Sequence, residues 1–284
     1  MTQRMLAGAM AGAAALLIVA CGGTPTTPSA GGNNGGMNTQ PPPNNPPVID
    51  SISIQGTRSK EPANFADAGE AIAVTAKVHD DETPVDQLQY VWTAPVGTFS
   101  GSGATVTWTA PSAVAAPSDV VLTLEVIEKY GFPGGPLQFE HDVSGTSTLS
   151  LHNSTTEVGD MARQFLLDFS DSTITDVAFV MRNFQPGCYG TQPETEQVTD
   201  NRAKYFITDW SVGVANVIEG FSSVGPVFGQ HGDAFAGVPV HWHSRVLAGG
   251  PDESNSGTDW VAAFYYPDQK RWRLCDSRYD GHPD

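Results

Sequence analysis

The chain has 284 residues and a formal charge of −17, with 39% apolar and only 16% charged residues, enough for packed cores in roughly two domains of ordinary size. The acids are spread evenly: residues 46 to 152 hold 13 acids and 4 bases, and residues 153 to 284 hold 18 and 9, so each half is −9. A field of that sign opposes phosphate backbones and anionic headgroups, which excludes nucleic acid as an expected partner.

Met5 to Ala20 is an apolar run behind one positive charge, Arg4. At about 16 residues it makes roughly 24 Å of helix, short of the roughly 30 Å hydrocarbon core of a bilayer, and residues 1–20 therefore read as a signal peptide instead of a span. Its end, Ile18-Val19-Ala20-Cys21, resembles the lipobox of bacterial lipoproteins, with Ile18 where that family most often has Leu. The resemblance implies a diacylglyceryl group on the Cys21 thiol, cleavage before Cys21 and acylation of the freed amine. Several acyl chains hold stably where one is marginal, so the membrane is an expected partner through a lipid anchor. Gly22, where retention in the inner membrane of the Gram-negative version uses Asp, implies export to the outer membrane. A plain secretory signal and an uncleaved anchor are the competing readings.

From Gly22 to Pro47 the chain carries no charge and is built of Gly, Pro, Asn, Thr and Ser around Met37. Such a composition buries too little to offset the entropy of ordering, so residues 21–47 are expected to be a disordered tether, stiffened by Pro41-Pro42-Pro43 and Pro46-Pro47.

Residues 48–152 alternate with period two between turn signals, as half-buried antiparallel strands do. Val48, Ile52 and Ile54 share one face; Ile72, Val74, Ala76 and Val78 another; then come Leu88, Tyr90 and Trp92, Val106 and Trp108, the clean set Val120, Leu122, Leu124 and Val126, and a last strand from Thr148 to His152. About seven strands predict a β-sandwich of immunoglobulin type. The run Val78 to Pro111, with Asp80-Asp81, Leu88-Gln89-Tyr90-Val91-Trp92, Gly97-Thr98-Phe99 and Val106-Thr107-Trp108, is similar to the Ig-like and polycystic-kidney-disease-type modules of bacterial surface proteins. That resemblance implies a spacer or adhesive unit with no catalytic residue. Asp80, Asp81, Glu82 and Asp86 form an acidic cluster that could hold calcium as in related cadherin-like modules, or simply be solvated.

At Ser154 the period changes to about 3.6, which marks a domain boundary. Val158, Met161, Ala162, Phe165, Leu166 and Phe169 make one amphipathic stripe, begun by a Ser154/Glu157 capping box. Val177 to Met181 with Phe184 predicts a short helix, and a Thr191/Glu194 box with Pro193 in the first turn starts a third, running toward Tyr205 and Phe206. Strands follow: Val212, Val214 and Ile218; Val238, Val240, Trp242 and Val246; Trp260, Ala262, Phe264 and Tyr266; Trp272 and Leu274. Pro267 in Tyr266-Pro267-Asp268-Gln269 predicts that the last two form a hairpin. Residues 153–284 are therefore expected to be an α+β domain, helices and then a curved antiparallel sheet. That order resembles the cone-shaped nuclear-transport-factor-like superfamily, whose helices and sheet enclose a pocket.

Cys188 and Cys275 are an even pair in an exported chain, and such pairs usually oxidise. The alternatives are two buried thiols, or a reactive Cys188 beside Gly187 and Tyr189. His241, His243 and Arg245 share one face of a strand, so the two imidazoles could converge on a metal, with His231 and Asp233 supplying further ligands; Arg245 repels a cation, and a solvated polar face is the competing reading. Lys270, Arg271, Arg273 and Arg278 read as a hairpin end balanced by Asp268, Asp276 and Asp280. No Gly-x-Ser-x-Gly, His-Glu-x-x-His, phosphate-binding glycine loop or Cys-x-x-Cys occurs, so no cofactor is expected. The whole reads as a multidomain, membrane-anchored, non-enzymatic lipoprotein: signal peptide, tether, Ig-like spacer, and a disulfide-stapled head for an unknown protein, glycan or small-molecule ligand. The alternative is an extracytoplasmic enzyme or small-ligand binder with a pocket in the head near His241, His243 and Tyr265.

Overall fold

The computed structural model describes residues 42–283, apart from Pro133, Gly134, Pro136, Leu137 and Ser223. The expected signal peptide, the expected lipidation site Cys21 and the expected tether up to Pro41 lie outside the described residues. From Asn44 onward the expected loose tether is seated on protein: Asn44 Nδ2 donates to Glu128 Oε1 at 2.9 Å, Asn45 Nδ2 donates to Glu82 Oε1 at 2.9 Å, and Pro47 is buried. Asn side chains can reach such carboxylates wherever the chain passes them, which composition does not register.

The first half consists of eight strands: β1 (Val48–Gln55), β2 (Phe65–Asp67), β3 (Ala71–His79), β4 (Gln89–Thr93), β5 (Thr98–Ser100), β6 (Thr105–Thr109), β7 (Ser118–Gly131) and β8 (Gln138–His152). They form two four-stranded sheets, ordered β1-β3-β6-β5 and β2-β8-β7-β4. Ile54, Ile72, Val74 and Trp108 from one sheet meet Val120, Leu122, Leu149 and Leu151 from the other in a continuous core. A bulge between Ile49 and Ser51 shifts the register of β1, so Ile49 turns in while Val48 faces out; one inserted residue reverses the parity of everything before it. The last strand is far longer than its apolar end suggests, because β8 pairs along the whole of β7 while its Gln138–Gly145 half has only Phe139 and Val143 among polar residues and glycine.

The second half opens with α1 (Ser154–Ser170), α2 (Val177–Val180) and α3 (Thr191–Lys204), then β9 (Tyr205–Val212), β10 (Asn216–Glu219), β11 (Ala234–Val246), β12 (Glu253–Tyr266) and β13 (Arg271–Pro283). β11, β12 and β13 make an antiparallel meander, and β9 and β10 lie end to end along the free edge of β11. The break between those two short strands falls at Gly213, whose N–H donates to Pro239 O; Val214 is thrown out to solvent, and Val217 packs inward in place of Ile218. α1 lies across the sheet with its predicted stripe, Val158, Ala162, Phe165 and Leu166, fully buried. Its N-cap is Asn153, one residue earlier than expected: Asn153 Oδ1 accepts from Thr156 N, and Glu157 Oε1 accepts from Asn153 N at 2.9 Å. Ser154 is thereby released for another task.

The inner parity of β12 is also the reverse of that expected. Val261, Ala263 and Tyr265 enter the core, whereas Trp260 lies on the outer face, its ring against Gly237, where an added Cβ would come within 2.7 Å of it. Both parities of β12 are apolar, so alternation alone leaves the face undetermined. Cys188 and Cys275 are joined in a disulfide with Cα atoms 5.5 Å apart, tying the loop before α3 to β13.

The described residues fall within one compact unit, and β2 is the joint inside it. Its side chains alternate: Ala66 enters the core between the first two sheets, while Phe65 enters the core of the helical layer. There Phe65 stacks on His152 (5.0 Å) and meets Tyr265 (4.7 Å), Phe221 (5.2 Å) and Trp272 (6.4 Å). Asp67 completes the joint by accepting from Ser154 N at 2.9 Å, Ser154 Oγ at 2.6 Å and Arg58 Nη1 at 2.8 Å. Ser154 Oγ in turn accepts from Trp272 Nε1 at 3.0 Å. A chain change of period at Ser154 marks a change of secondary structure here, with apolar and hydrogen-bonded contacts continuing across it.

Candidate functional site

Between α1, α3 and the inner face of the β9–β13 sheet lies a cavity of about 300 Å³. Phe165, Leu166 and Phe169 come from α1, Glu194, Gln197, Asn201 and Arg202 from α3, Tyr205 and Ile207 from β9, Trp242 and Ser244 from β11, Asn255 and Asp259 from β12, and Tyr279 from β13. Among its lining residues Gln197 and Glu253 are exposed, and Phe165, Leu166, Glu194, Trp242 and Asp259 are buried. One wall is a chain of rings: Phe165 to Phe169 at 6.4 Å, Phe169 to Trp242 at 5.5 Å, and Trp242 to Tyr279 at 5.3 Å. Trp242 is oriented by its indole N–H, which donates to Ser170 Oγ, and Ser170 Oγ in turn donates to Leu166 O.

Beside the rings the lining is acidic. Glu194 is only 5% exposed, and among the described residues no hydrogen bond reaches its carboxyl. Burial pushes its pKa well above the ordinary value, the charges of Asp259 and Asp276 push it further, and Arg278 offsets part of this. Asp259 accepts from Ser277 Oγ, yet burial with the neighbouring Asp276 lifts it to about 6. Asp276 is paired with Arg278 Nε at 2.8 Å. Three carboxyls thus share one guanidinium, an arrangement that favours the protonated form of Glu194. Arg202 is at the far side of the cavity: its Nη2 donates to Asp168 O at 2.8 Å, while Nε and Nη1 make no hydrogen bond.

Local sequence explains how Glu194 comes to be there. α3 starts at Gly190, and Thr191 Oγ1 donates to Gln185 O, so neither end of the expected Thr191/Glu194 box caps the helix. A Cβ at Gly190 would come within 2.5 Å of Asp276 Oδ1 and 2.6 Å of Cys275 O, so glycine lets this helix end close on β13 beside the disulfide. Glu194 and Val198 are then the two buried residues of an otherwise polar helix. A carboxylate at i with the one apolar residue at i+4 was the available signal. For Asp259, which sits in the same parity as Val261 and Ala263, the signal was masked by the ambiguous face of β12.

The expected histidine site is elsewhere. Successive side chains of a strand point to opposite faces, so Trp242 and Ser244 line the cavity while His241 and His243 lie on the outer face. His241 Nδ1 shares a hydrogen bond with Ser256 Oγ at 2.9 Å, and His243 Nδ1 with Ser254 Oγ at 2.8 Å. A shallow depression of about 330 Å³ beside His241 is rimmed by exposed Ser211, Pro239 and Ser256, and His241 is its sole ionisable lining residue. Asp233 Oδ2 accepts from Tyr265 N at 3.1 Å, and His231 O accepts from Tyr189 OH at 2.9 Å, both near the other end of the sheet. Tyr265 is nine positions along β12 from the partner of His241, on the order of 30 Å, so the structure does not bring it to the two histidines. In the first half, Asp80 Oδ1 accepts from the backbone N–H groups of Glu82 and Thr83, and Glu82 accepts from Asn45, while Asp81 and Asp86 are exposed. Among the described residues no group of three or more His, Cys, Asp or Glu stands where it could hold a metal ion. Of the expected basic patch, Lys270 pairs with Asp119 at 2.9 Å, not with its own hairpin.

One further constellation has the distances of a nucleophile relay: Ser150 Oγ to His152 Nε2 at 2.9 Å, and His152 Nδ1 to Glu157 Oε2 at 3.0 Å. His152 is wholly buried under Phe65, its Nε2 is also 3.2 Å from Tyr265 OH, and neither of the two cavities above is lined by it. Through these contacts it pins β8 to α1 and β12. No family model, curated protein or solved structure matches this chain.

Proposed function

We propose that the chain is an exported lipoprotein, anchored in the membrane through Cys21, whose C-terminal domain binds a small organic ligand. In this proposal the Ig-like sandwich is the spacer and residues 153–284 are a nuclear-transport-factor-like cone. The observation that carries it is the cavity: an aromatic wall beside a buried, hydrogen-bond-free carboxyl, Glu194, is the combination of apolar surface and a few convergent polar groups that small-ligand sites use. Leaving Glu194 and Asp259 buried together costs stability, as expected where a site is shaped for a ligand. Support for the anchor is the Ile18-Val19-Ala20-Cys21 sequence.

Two experiments test this. Trp242 fluorescence of the mature chain, with Trp242→Phe as the control, is followed across a library of small organic cations, acids, sugars and neutral aromatics; failure of every member to change the emission or the melting temperature refutes the pocket. Metabolic labelling with an alkyne fatty acid tests the anchor, and equal labelling of Cys21→Ala refutes it. Acid–base catalysis is the second reading, favoured by one cavity holding Glu194, whose pKa burial pushes well up, together with Asp259, raised to about 6. Product formation from a bound library member, lost in Glu194→Gln, distinguishes it from binding alone.

A further inference from the structure

The cavity wall and floor differ in chemistry, and that difference specifies a ligand. Phe169, Trp242 and Tyr279 form consecutive ring contacts at 5.5 and 5.3 Å, so a group lodged against them meets several ring faces or edges. The same cavity holds Glu194, buried and without a hydrogen bond, and Asp259, the cross-strand partner of Tyr279, whose described hydrogen bond comes from Ser277. With Asp276 these make three carboxyls against Arg278, whereas the cavity's own Arg202 is electrostatically coupled to Asp171 on another side. The Glu194/Asp259 end is short of positive charge and lies by the Tyr279 ring, the cross-strand partner of Asp259, whereas the Phe169 ring already carries Arg202, whose Cζ is 6.0 Å from its centroid.

We propose that this cavity takes a small organic cation, an amine or quaternary ammonium carried on a compact apolar body, with the charge between Trp242 and the Glu194/Asp259 pair. The proposal rests on the ligand-pocket reading above. A cation over an indole face is attracted by the ring quadrupole, and the attraction grows when water is excluded. A neutral sugar would also stack on Trp242 and hydrogen bond to Asn201 and Asn255, but it would leave the carboxyl repulsion in place. An anion would add to it. A cation offsets it, and its charge favours the ionised forms of both Glu194 and Asp259.

The test uses the full mature chain in detergent and isosteric probe pairs: choline against 3,3-dimethylbutan-1-ol, and trimethylglycine against 3,3-dimethylbutanoate. Each pair differs only by nitrogen for carbon, hence by one positive charge. Calorimetry is expected to show each quaternary ammonium, the cation choline and the zwitterion trimethylglycine, at least about tenfold tighter than its isostere. For choline, lowering the pH from 7.5 to 5 is expected to weaken binding by up to about tenfold as Asp259, with its value near 6, takes up a proton. Trp242→Leu and Asp259→Asn should each remove the preference for the cation, with circular dichroism showing that both variants fold. Isosteres binding as tightly as their cations, or a sugar binding more tightly than both, overturns the cation assignment while leaving the pocket standing. If neither these probes nor a neutral aromatic fluorophore binds, the assignment and the pocket fall together.

Discussion

Asp259→Asn should make this protein more stable at neutral pH, although the residue it replaces is buried and hydrogen bonded. The carboxyl is raised from 3.8 to about 6, chiefly by burial and secondarily by Asp276, against the opposing hydrogen bond from Ser277. That difference corresponds to about 3 kcal/mol of destabilisation once Asp259 is ionised in the folded state. The sign follows from proton binding: the folded state holds the proton more tightly than the unfolded one, so the stabilisation is complete below pH 4 and is lost as the pH rises through 6. Asparagine fills the same volume and keeps an acceptor for Ser277, so about 1–3 kcal/mol of the penalty should be recovered at pH 7.5. For a unit of this size that is a rise of roughly 3–10 °C in Tm. Thermal melts of both proteins from pH 4 to 8 would show the difference growing from near zero at pH 4 to a plateau above pH 7. A variant that melts at or below the wild-type temperature at pH 7.5, or a difference independent of pH, refutes the account of the cavity floor.

Phe65→Ala removes the side chain that links the two cores and should cost about 3–5 kcal/mol, splitting a single urea transition into two; one unchanged transition would contradict its role as the joint. Loss of the Cys188–Cys275 bridge, which spans 87 positions, should cost at most about 4–5 kcal/mol, read as a fall in Tm of the double serine variant that reductant reproduces in the wild type. Gly190→Ala places a methyl group against Asp276 and Cys275 O and should destabilise by about 1–3 kcal/mol in urea titrations; an effect within 0.5 kcal/mol in that assay would show that α3 can give way there.

Elements with a single unambiguous period were legible in the chain. The α1 stripe, the clean alternation of β7 and the hairpin at Pro267 follow from patterns whose alternatives would expose apolar surface, and the bond between Cys188 and Cys275 from the even count left once Cys21 is set aside. The site was much less legible. His241-Trp242-His243 drew attention because histidines carry chemistry, but in a strand the cavity receives the residue between them. Glu194 matched a capping pattern so well that its burial was hidden, since three-residue spacing describes a cap and a shared helix face equally.

Local chemistry by itself determined the number and kind of most segments, the even acidity of both halves and the Ile18-Val19-Ala20-Cys21 signature, because each depends on residues within one or two turns or strands of one another. Only tertiary structure decided that Phe65 belongs to a core far along the chain, which face of β12 turns inward, and that carboxyls from α3, β12 and β13 meet beside an aromatic wall. Those outcomes depend on long-range register and on how closely a helix can approach a sheet, and a single bulge or a glycine such as Gly190 changes them without altering the surrounding pattern.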